Sequence, residues 1–442
     1  MSSSRRHFLR DLGVVSVASS LGPLLFRAVG SRASAANLAG FGSTVLPPGT
    51  PILVQIILDG GNDNLNTLVP VNNPWYYDSE YGHGPLALTP EQTLPLNGVA
   101  DYRLHPALSW LAARHNSSAD VAFVQGVGVS ERVSFSHFDS MKVWQSTDPN
   151  LLTPTGWLGR YNDLRTPGNP YASICLNELR LECVAAQTPT LVLQTTDQFY
   201  VRTPGFPLPQ NLADLYVSSL LNLAAGQSGG LHQEVGALID RTFSMSTRIT
   251  DASDSGITAG THSRIAQHLL QTALLIRAGI PSQTYSMAFG PFDTHGDQLV
   301  RQDELLQQLN EGLSKLFAAL AGSGRENDVV VQIISEFGRQ ITANGSAGTD
   351  HGQGGMSIVL GAAVQGGLYG EPSELDPGGP TRPNRINDAQ VPTTDFRRTY
   401  AAVVNHLAGD SGAADQVLGS NFGAPLPIFG GSADALFSSG FE

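Results

Sequence analysis

Five short, predominantly apolar runs constrain the fold of this chain more than any other feature. They span residues 52–58, 121–124, 284–289, 329–334 and 357–361. Strands buried on both faces have this pattern, and such strands belong mainly to parallel sheets that helices cover. We therefore expect an α/β fold with a large, mostly parallel sheet flanked by helices.

Several stretches between these runs have apolar residues at helical spacing. The predicted helices are residues 210–224, 265–275, 299–321 and 395–408. The order of strand 284–289, helix 299–321 and strand 329–334 is that of a βαβ crossover, which predicts a parallel pair of strands.

The first 35 residues have the features of a twin-arginine signal peptide. A Ser-Arg-Arg-His-Phe-Leu-Arg motif at residues 4–10 precedes an apolar stretch, and Ala33-Ser34-Ala35 is a small-residue cleavage site. An uncleaved anchor is the alternative, but the apolar stretch is shorter than the ~20 residues that a membrane span needs. We expect the twin-arginine export machinery to carry the protein to the periplasm or beyond, with no stable membrane span.

The rest of the chain is predicted to contain one large domain. Residues 36–50 have the composition of a linker, residues 51–425 form the α/β domain, and residues 426–442 form a flexible tail. Residues from about 185 to 260 are rich in Gln, Thr, Ser and Gly, and they predict an insertion or cap.

The charge of the chain argues against two classes of partner. Removal of the leader leaves 20 basic and 37 acidic residues and changes the net charge from −13 to −17. Only two lysines occur, Lys142 and Lys315. Such a surface opposes binding to nucleic acid and to anionic membranes, so an anionic substrate would need a local positive centre such as a metal.

Two cysteines, Cys175 and Cys183, flank a segment that could turn through Asn177-Glu178. In an oxidising compartment this spacing predicts a disulfide across a small hairpin. Two buried free thiols are the alternative.

Clusters of carboxylates and imidazoles follow the apolar runs. Ligands bind at the carboxyl edge of such sheets, and divalent ions such as Zn²⁺, Mn²⁺, Mg²⁺ or Ca²⁺ bind carboxylates, with His added for zinc. We predict one or two divalent ions held by Asp59, Asp293, His295, Glu336 and His351.

Some of these positions have a structural alternative. Asp293 lies shortly before a predicted helix, whose first amides an acidic or hydroxyl side chain could cap. Glu336 could instead form a buried ion pair with Arg339, three residues later.

Ser136 and His137 are the candidate catalytic residues. They follow the strand at 121–124, and a metal could activate the Ser136 hydroxyl while His137 orients it. A helix cap at Ser136 is the alternative reading. No G-x-S-x-G pattern surrounds this serine, which argues against an α/β-hydrolase.

Several motifs taken together resemble the bacterial domain-of-unknown-function family 1501, over about residues 50–408. These motifs are LDGGND, SHFD, TGWLGRY, FDTHGDQ, SEFGR and TTDFR. That family looks like a branch of the alkaline-phosphatase-like superfamily, which includes phosphatases, sulfatases and phosphoglycerate mutases.

The resemblance implies a two-metal site above a parallel sheet. One ion would be bound by Asp293, His295 and His351. The other would be bound by Asp59, Ser136 and Glu336, with Ser136 as nucleophile. The chain departs from the superfamily in the close spacing of its first Asp and His, and Phe337 stands where a ligand is usual.

The expected function is an exported, metal-dependent hydrolase that cleaves phosphate or sulfate esters of a small molecule or a polymer. The alternative is a non-catalytic exported protein that keeps the fold and binds a partner or an envelope polymer.

Overall fold

The computed structural model describes residues 45–132, 134–194, 218–219, 222, 230–253, 256–379, 388–419 and 422–430. The large sheet predicted from the apolar runs forms the centre of the molecule. Its strands are β1 (Ile52–Leu58), β5 (Val121–Gly128), β6 (Ser173–Leu176), β7 (Leu191–Leu193), β8 (Thr284–Phe289), β9 (Val329–Ser335), β10 (Gly355–Leu360), β11 (Gly367–Gly370) and β12 (Thr394–Asp395).

The strands of this sheet run in the order β11-β5-β10-β9-β1-β8-β6-β7, and β12 also pairs with β5. All its described pairs are parallel except the two that β10 makes with β5 and β9. The prediction of a large, mostly parallel sheet is confirmed. The strand at 357–361 was wrongly included among the parallel strands.

Strand β1 shows why the apolar runs lack alternation. Ile52, Val54 and Ile56 belong to the hydrophobic cluster on one face of the sheet, while Leu53 and Ile57 belong to the cluster on the other. Both sets of side chains are therefore removed from water, as expected for a sheet that helices cover on both faces.

The two helical layers bring their apolar stripes to these clusters. One layer contains α3 (Ser109–Ser118), α7 (Arg264–Arg277) and α8 (Gln298–Leu320). The other contains α4 (His137–Ser146), α5 (Trp157–Arg165), α9 (Phe396–Ala408) and α10 (Ala413–Leu418). The helices predicted at 265–275, 299–321 and 395–408 are confirmed as α7, α8 and α9.

The predicted βαβ crossover is present, but its two strands are not neighbours. β1 lies between β8 and β9 and pairs in parallel with both. Strand 284–289 and strand 329–334 therefore run in the same direction, while the pairing expected between them is wrong. Strand β1, from the start of the domain, lies between these two strands, and the local spacing of residues could not reveal this.

The remaining described elements lie at the margins of this core. A small antiparallel sheet contains β2 (Leu68–Val69), β3 (Leu94–Leu96) and β4 (Val99–Leu104). The other helices of four or more residues are α1 (Asn64–Thr67), α2 (Pro74–Tyr77) and α6 (Gly230–Ser253). In the described part of the chain, no helix has the length and apolar character to cross a membrane.

The predicted disulfide is not present: Cys175 and Cys183 are buried free thiols. Cys175 lies on β6, and Cys183 ends a short 3₁₀ turn, Leu181–Cys183. The segment between them does not form a hairpin, since the next strand, β7, pairs with β6 in parallel. Burial, followed by a hydrogen bond to Cys175, raises the pKa of the Cys183 thiol well above its usual value.

The predicted ends of the domain fall partly outside the described residues. The signal peptide (1–35), most of the linker (36–50) and most of the predicted helix 210–224 lie there. Leu426 and Ile428, at the start of the predicted tail (426–442), are buried in the core, and residues 431–442 lie outside the described residues.

Candidate metal centre

The carboxyl edge of the sheet collects the predicted site residues. Asp59 directly follows β1, Glu336 directly follows β9, and Asp293 lies four residues beyond β8. These strands are parallel, so their ends meet at one edge. His351 reaches the same edge from the opposite direction, because it precedes the antiparallel strand β10.

Two glycines allow the loop after β1 to approach the other loops. Gly60 has φ +115° and Gly61 has φ +77°, a region that disfavours side chains. A Cβ at Gly60 would overlap the backbone nitrogen of Asp293, and one at Gly61 would overlap the ring of Phe337. The close approach of the loops therefore requires both glycines.

Asp293 is the centre of a compact group of donor atoms. Its Oδ1 lies 3.0 Å from Nε2 of His295 and 3.1 Å from Nε2 of His351. The two Nε2 atoms lie 2.9 Å from each other. Three potential ligand atoms thus form a nearly equilateral triangle.

The outer nitrogens of both imidazoles have acceptor partners. Nδ1 of His295 donates to Oδ1 of Asp350 at 2.8 Å, and Nδ1 of His351 donates to the carbonyl oxygen of Phe135 at 2.7 Å. A neutral imidazole carries one proton, so each Nε2 presents a lone pair to Asp293. A cation among these atoms, either a proton or a metal ion, would remove the repulsion between lone pairs that face each other at this distance.

His137 is a fourth donor with the same arrangement. Its Nδ1 donates to Oε1 of the buried Glu336 at 2.9 Å, and its Nε2 lies 3.6 Å from Oδ2 of Asp293. The hydrogen bond with Glu336 raises the pKa of His137. For Asp293, partial burial is outweighed by the hydrogen bond and charge of Arg339, and its pKa is lowered. The carboxylate therefore stays ionised while His137 binds a proton or a metal.

His137, Asp293 and His351 each have a donor atom within 4.8 Å of the other two, and His295 lies against Asp293 and His351. Ligand atoms at the ordinary zinc distance of about 2.0–2.1 Å are about 3.3 Å apart in a tetrahedron. The distances from Asp293 to His295, His351 and His137, which are 3.0, 3.1 and 3.6 Å, are close to this value. Hydrogen bonds from Nδ1 to carboxylates and carbonyls are also typical of metal-bound histidines. Three nitrogen ligands favour Zn²⁺ over Mg²⁺ and Ca²⁺, which prefer oxygen.

The structure places the predicted ligands in two groups. Asp293, His295 and His351 come together as predicted, and His137 joins them instead of orienting a serine. Asp59 and Glu336 lie beside this group but not in it. Both oxygens of Asp59 accept from Arg180, and Oε1 of Glu336 accepts from His137 and from the amide of Gly60.

Ser136 caps the helix whose first residue is His137. Its Oγ accepts from the amide of Asp139 at 3.4 Å, which is the helix-cap alternative considered above. It does not line the cavity described below. The nucleophilic role of Ser136 stays a prediction. The cap explains how His137 is held at the start of α4.

Sequence reasoning missed two partners of the site. Asp350 orients His295, and Arg180 pairs with Asp59 at 3.0 Å. Asp350 directly precedes His351 in a glycine-rich loop, and this adjacency was an available signal. Arg180 lies more than 100 residues from Asp59, and no local pattern connects them.

A cavity of about 770 Å³ opens beside the donor group. Its floor contains Asp59, Gly60, Asp293 and Glu336 together with His137. Burial raises the pKa of Asp59, although Arg180 opposes the shift. The metal centre and a carboxylate with a raised pKa thus face the same space.

Arg339 fixes the three loops that form the centre. Its fully buried guanidinium donates to Oδ1 of Asp293 at 2.5 Å and to the carbonyl oxygens of Gly60, Gly61, Phe292 and Thr349. The alternative of a Glu336–Arg339 ion pair is therefore wrong. Arg339 instead forms its ion pair with the Asp293 carboxylate.

Comparisons of the sequence with known proteins connect the chain to one family. A family model described as "Protein of unknown function (DUF1501)" matches residues 223–401. The match covers three of the four donors and supports the resemblance drawn from the motifs. No curated protein matches the sequence.

Comparisons with solved structures find distant similarities. Alkaline phosphatase from the Antarctic bacterium TAB5 is 9% identical, with 72% of this chain and 95% of that chain covered and a TM-score of 0.30. A 2-O GAG sulfatase is 8% identical, with 85% and 76% covered and a TM-score of 0.30. The lipoteichoic acid synthase LtaP from Listeria monocytogenes is 10% identical, with 90% and 80% covered and a TM-score of 0.30.

Replacement of Arg339 tests its role in joining the loops. We expect Arg339→Lys to lower the free energy of unfolding by about 3 kcal/mol, because a point-like ammonium cannot satisfy five buried acceptors. Denaturant unfolding measures the change. Arg301→Lys, at an exposed site on α8, is the matched control. A loss no larger than that of the control would contradict this role.

The pKa of His137 predicts how proton and metal compete. Since Glu336 raises this pKa, protons should compete with Zn²⁺ for His137 at a higher pH than they would for an ordinary histidine. As the pH is lowered, Zn²⁺ affinity should therefore begin to fall earlier. We expect Glu336→Gln to weaken binding about 10-fold or more at about pH 8 and to flatten its dependence between about pH 6 and pH 8.

Competition with a chelating dye measures this affinity across the pH range. Glu311→Gln is the control, since this exposed acid pairs only with Lys315 on α8. An unchanged pH dependence in Glu336→Gln would show that Glu336 does not control the protonation of His137.

Proposed function

We propose that this protein is a divalent-metal-dependent hydrolase that acts on phosphate or sulfate esters. The observation that carries the proposal is the convergence of three imidazole lone pairs on Asp293 beside an open cavity. The motif resemblance described above supplies the ester class. Because the cavity floor is acidic, a bound cation is needed before an anionic ester can approach.

A divalent ion at this centre would supply a Lewis acid that withdraws charge from the ester and activates water. His137, His295, His351 and Asp293 would hold it. Arg339 keeps Asp293 ionised and fixed, while Glu336 keeps the Nδ1 proton of His137 in place. These residues therefore set the position and the protonation of the ligands in advance.

Water is the proposed nucleophile in place of Ser136, which does not line the cavity. Among the described residues that line the cavity, none carries a hydroxyl or a thiol. Asp59 faces the same space, and its raised pKa makes it a stronger proton acceptor than an ordinary carboxylate. Asp59 would accept the proton of the attacking water, and Arg180 would hold its carboxylate in position.

A non-catalytic exported binding protein is the second candidate. The observation that favours it is the same lack of a hydroxyl or thiol among the described cavity residues. In that case the metal centre would bind an anionic group of a partner or polymer without cleaving it.

Substitutions in the two parts of the site separate these functions. We expect Asp293→Ala and His351→Ala each to lose bound metal and to lower turnover of generic phosphate or sulfate esters by about 100-fold or more. Asp59→Asn should keep its metal and lose turnover by a similar factor. Elemental analysis and ester turnover are measured on the same samples.

Full metal content in both ligand variants would remove the proposed centre. Loss of metal in Asp59→Asn would make Asp59 a ligand, as the sequence first suggested. A metal-loaded wild-type protein that cleaves no phosphate monoester, phosphodiester or sulfate ester would leave the binding protein as the function.

We also propose that the protein is exported through the twin-arginine pathway, on the strength of the motif at residues 4–10 and the Ala33-Ser34-Ala35 site. We expect the double change Arg5→Lys and Arg6→Lys to leave the uncleaved precursor in the cytoplasm. Cell fractionation followed by immunoblotting checks this. The charge-matched control is Arg27→Lys with Arg32→Lys, and equal export of both variants would refute the pathway.

A further inference from the structure

One wall of the cavity is a single face of helix α4. Phe138, Met141, Lys142 and Gln145 line it at helical spacing, one turn after another from His137. Phe138 is 77% exposed, which is unusual for so large an apolar side chain. This wall therefore offers apolar surface to a ligand directly beside the metal centre.

Two further cavity residues are apolar. Leu181 and Pro291 line the same space, and neither offers a side-chain donor or acceptor. A hydroxyl-rich ligand such as a sugar would find few partners on these apolar side chains. An aromatic or aliphatic body would bury its surface against Phe138 and Met141.

Lys142 adds a charge at a fixed distance from the centre. It is one of only two lysines in the chain, and it forms no ion pair with any carboxylate in the described residues. Five residues separate it from His137, which places the two backbone positions about 7–8 Å apart along the helix axis. An unpaired ammonium on a cavity wall of an acidic protein is suited to an anionic group.

From this arrangement we infer the substrate class. The cavity takes an aryl or alkyl ester that carries a second anionic group, such as a carboxylate, at the end remote from the ester. The ester lies at the metal centre, the apolar body lies between Phe138 and Leu181, and the second anion pairs with Lys142. The inference rests on the proposed function for the identity of the ester end.

The test uses two non-hydrolysable probes, benzylphosphonate and 4-carboxybenzylphosphonate, which differ only in the remote carboxylate. Isothermal titration of the Zn²⁺-loaded protein should show about fivefold tighter binding of the carboxylated probe, the size of a partly exposed ion pair. Lys142→Gln should remove this preference, and Lys142→Arg should keep it. Lys315→Gln, at the other lysine, should also keep it.

A second variant tests the apolar wall. Phe138→Ala should weaken both probes by about fivefold and leave the ratio between them unchanged. Equal affinity of the two probes for the wild type, or an unchanged preference in Lys142→Gln, would overturn the inference. So would failure of both probes to bind.

Turnover of phenyl phosphate, measured in parallel, separates this inference from the proposed function. Hydrolysis without probe preference would refute the substrate class alone. Probe preference without hydrolysis of any ester would support the inferred class of ligand and refute the proposed hydrolase activity. The two failures are therefore distinguishable.

Discussion

The buried guanidinium of Arg339 is the interaction on which the geometry of the site depends. A buried charge is costly unless its donors are satisfied, and here four backbone carbonyls and the Asp293 carboxylate satisfy them. These acceptors come from the loops after β1 and β8 and from the loop before β10. The guanidinium can be satisfied only when all three loops are in place, so its burial forces the loops together.

The sheet makes this meeting possible. β1, β8 and β9 are parallel, so the residues that follow them share one edge. β10 runs in the opposite direction and therefore contributes the loop that precedes it. A wholly parallel sheet would have placed His351 at the far edge. The antiparallel strand β10 thus completes the candidate metal centre.

Much of the fold was predictable because burial on both faces leaves a direct mark in the sequence. The predominantly apolar runs located five strands, and helical periodicity located α7, α8 and α9. The pairing of β1 between β8 and β9 was not predictable, since nothing local to a strand records its neighbours. The two cysteines were misread for a similar reason: a hairpin was assumed where the chain continues to a parallel strand.

The site was predictable only as far as residue types allow. Asp293, His295 and His351 could be predicted because they are polar residues in loops next to apolar strands. His137 was predicted to orient Ser136, while the structure places its imidazole against Glu336 and Asp293, a choice that depends on distances the sequence does not contain. Asp59 and Glu336 were grouped as ligands, since the sequence cannot show that Arg180 and His137 already engage their oxygens.

Helix α4 connects the metal centre to the cavity wall. Ser136 caps the helix, which fixes His137 in the first turn, and the first two turns present Phe138 and Met141 to the cavity. Because one rigid element carries both features, a shift of the helix that weakened the His137 contact would also move the wall. The short segment from Ser136 to Met141 therefore sets the position of the candidate metal centre relative to the cavity wall.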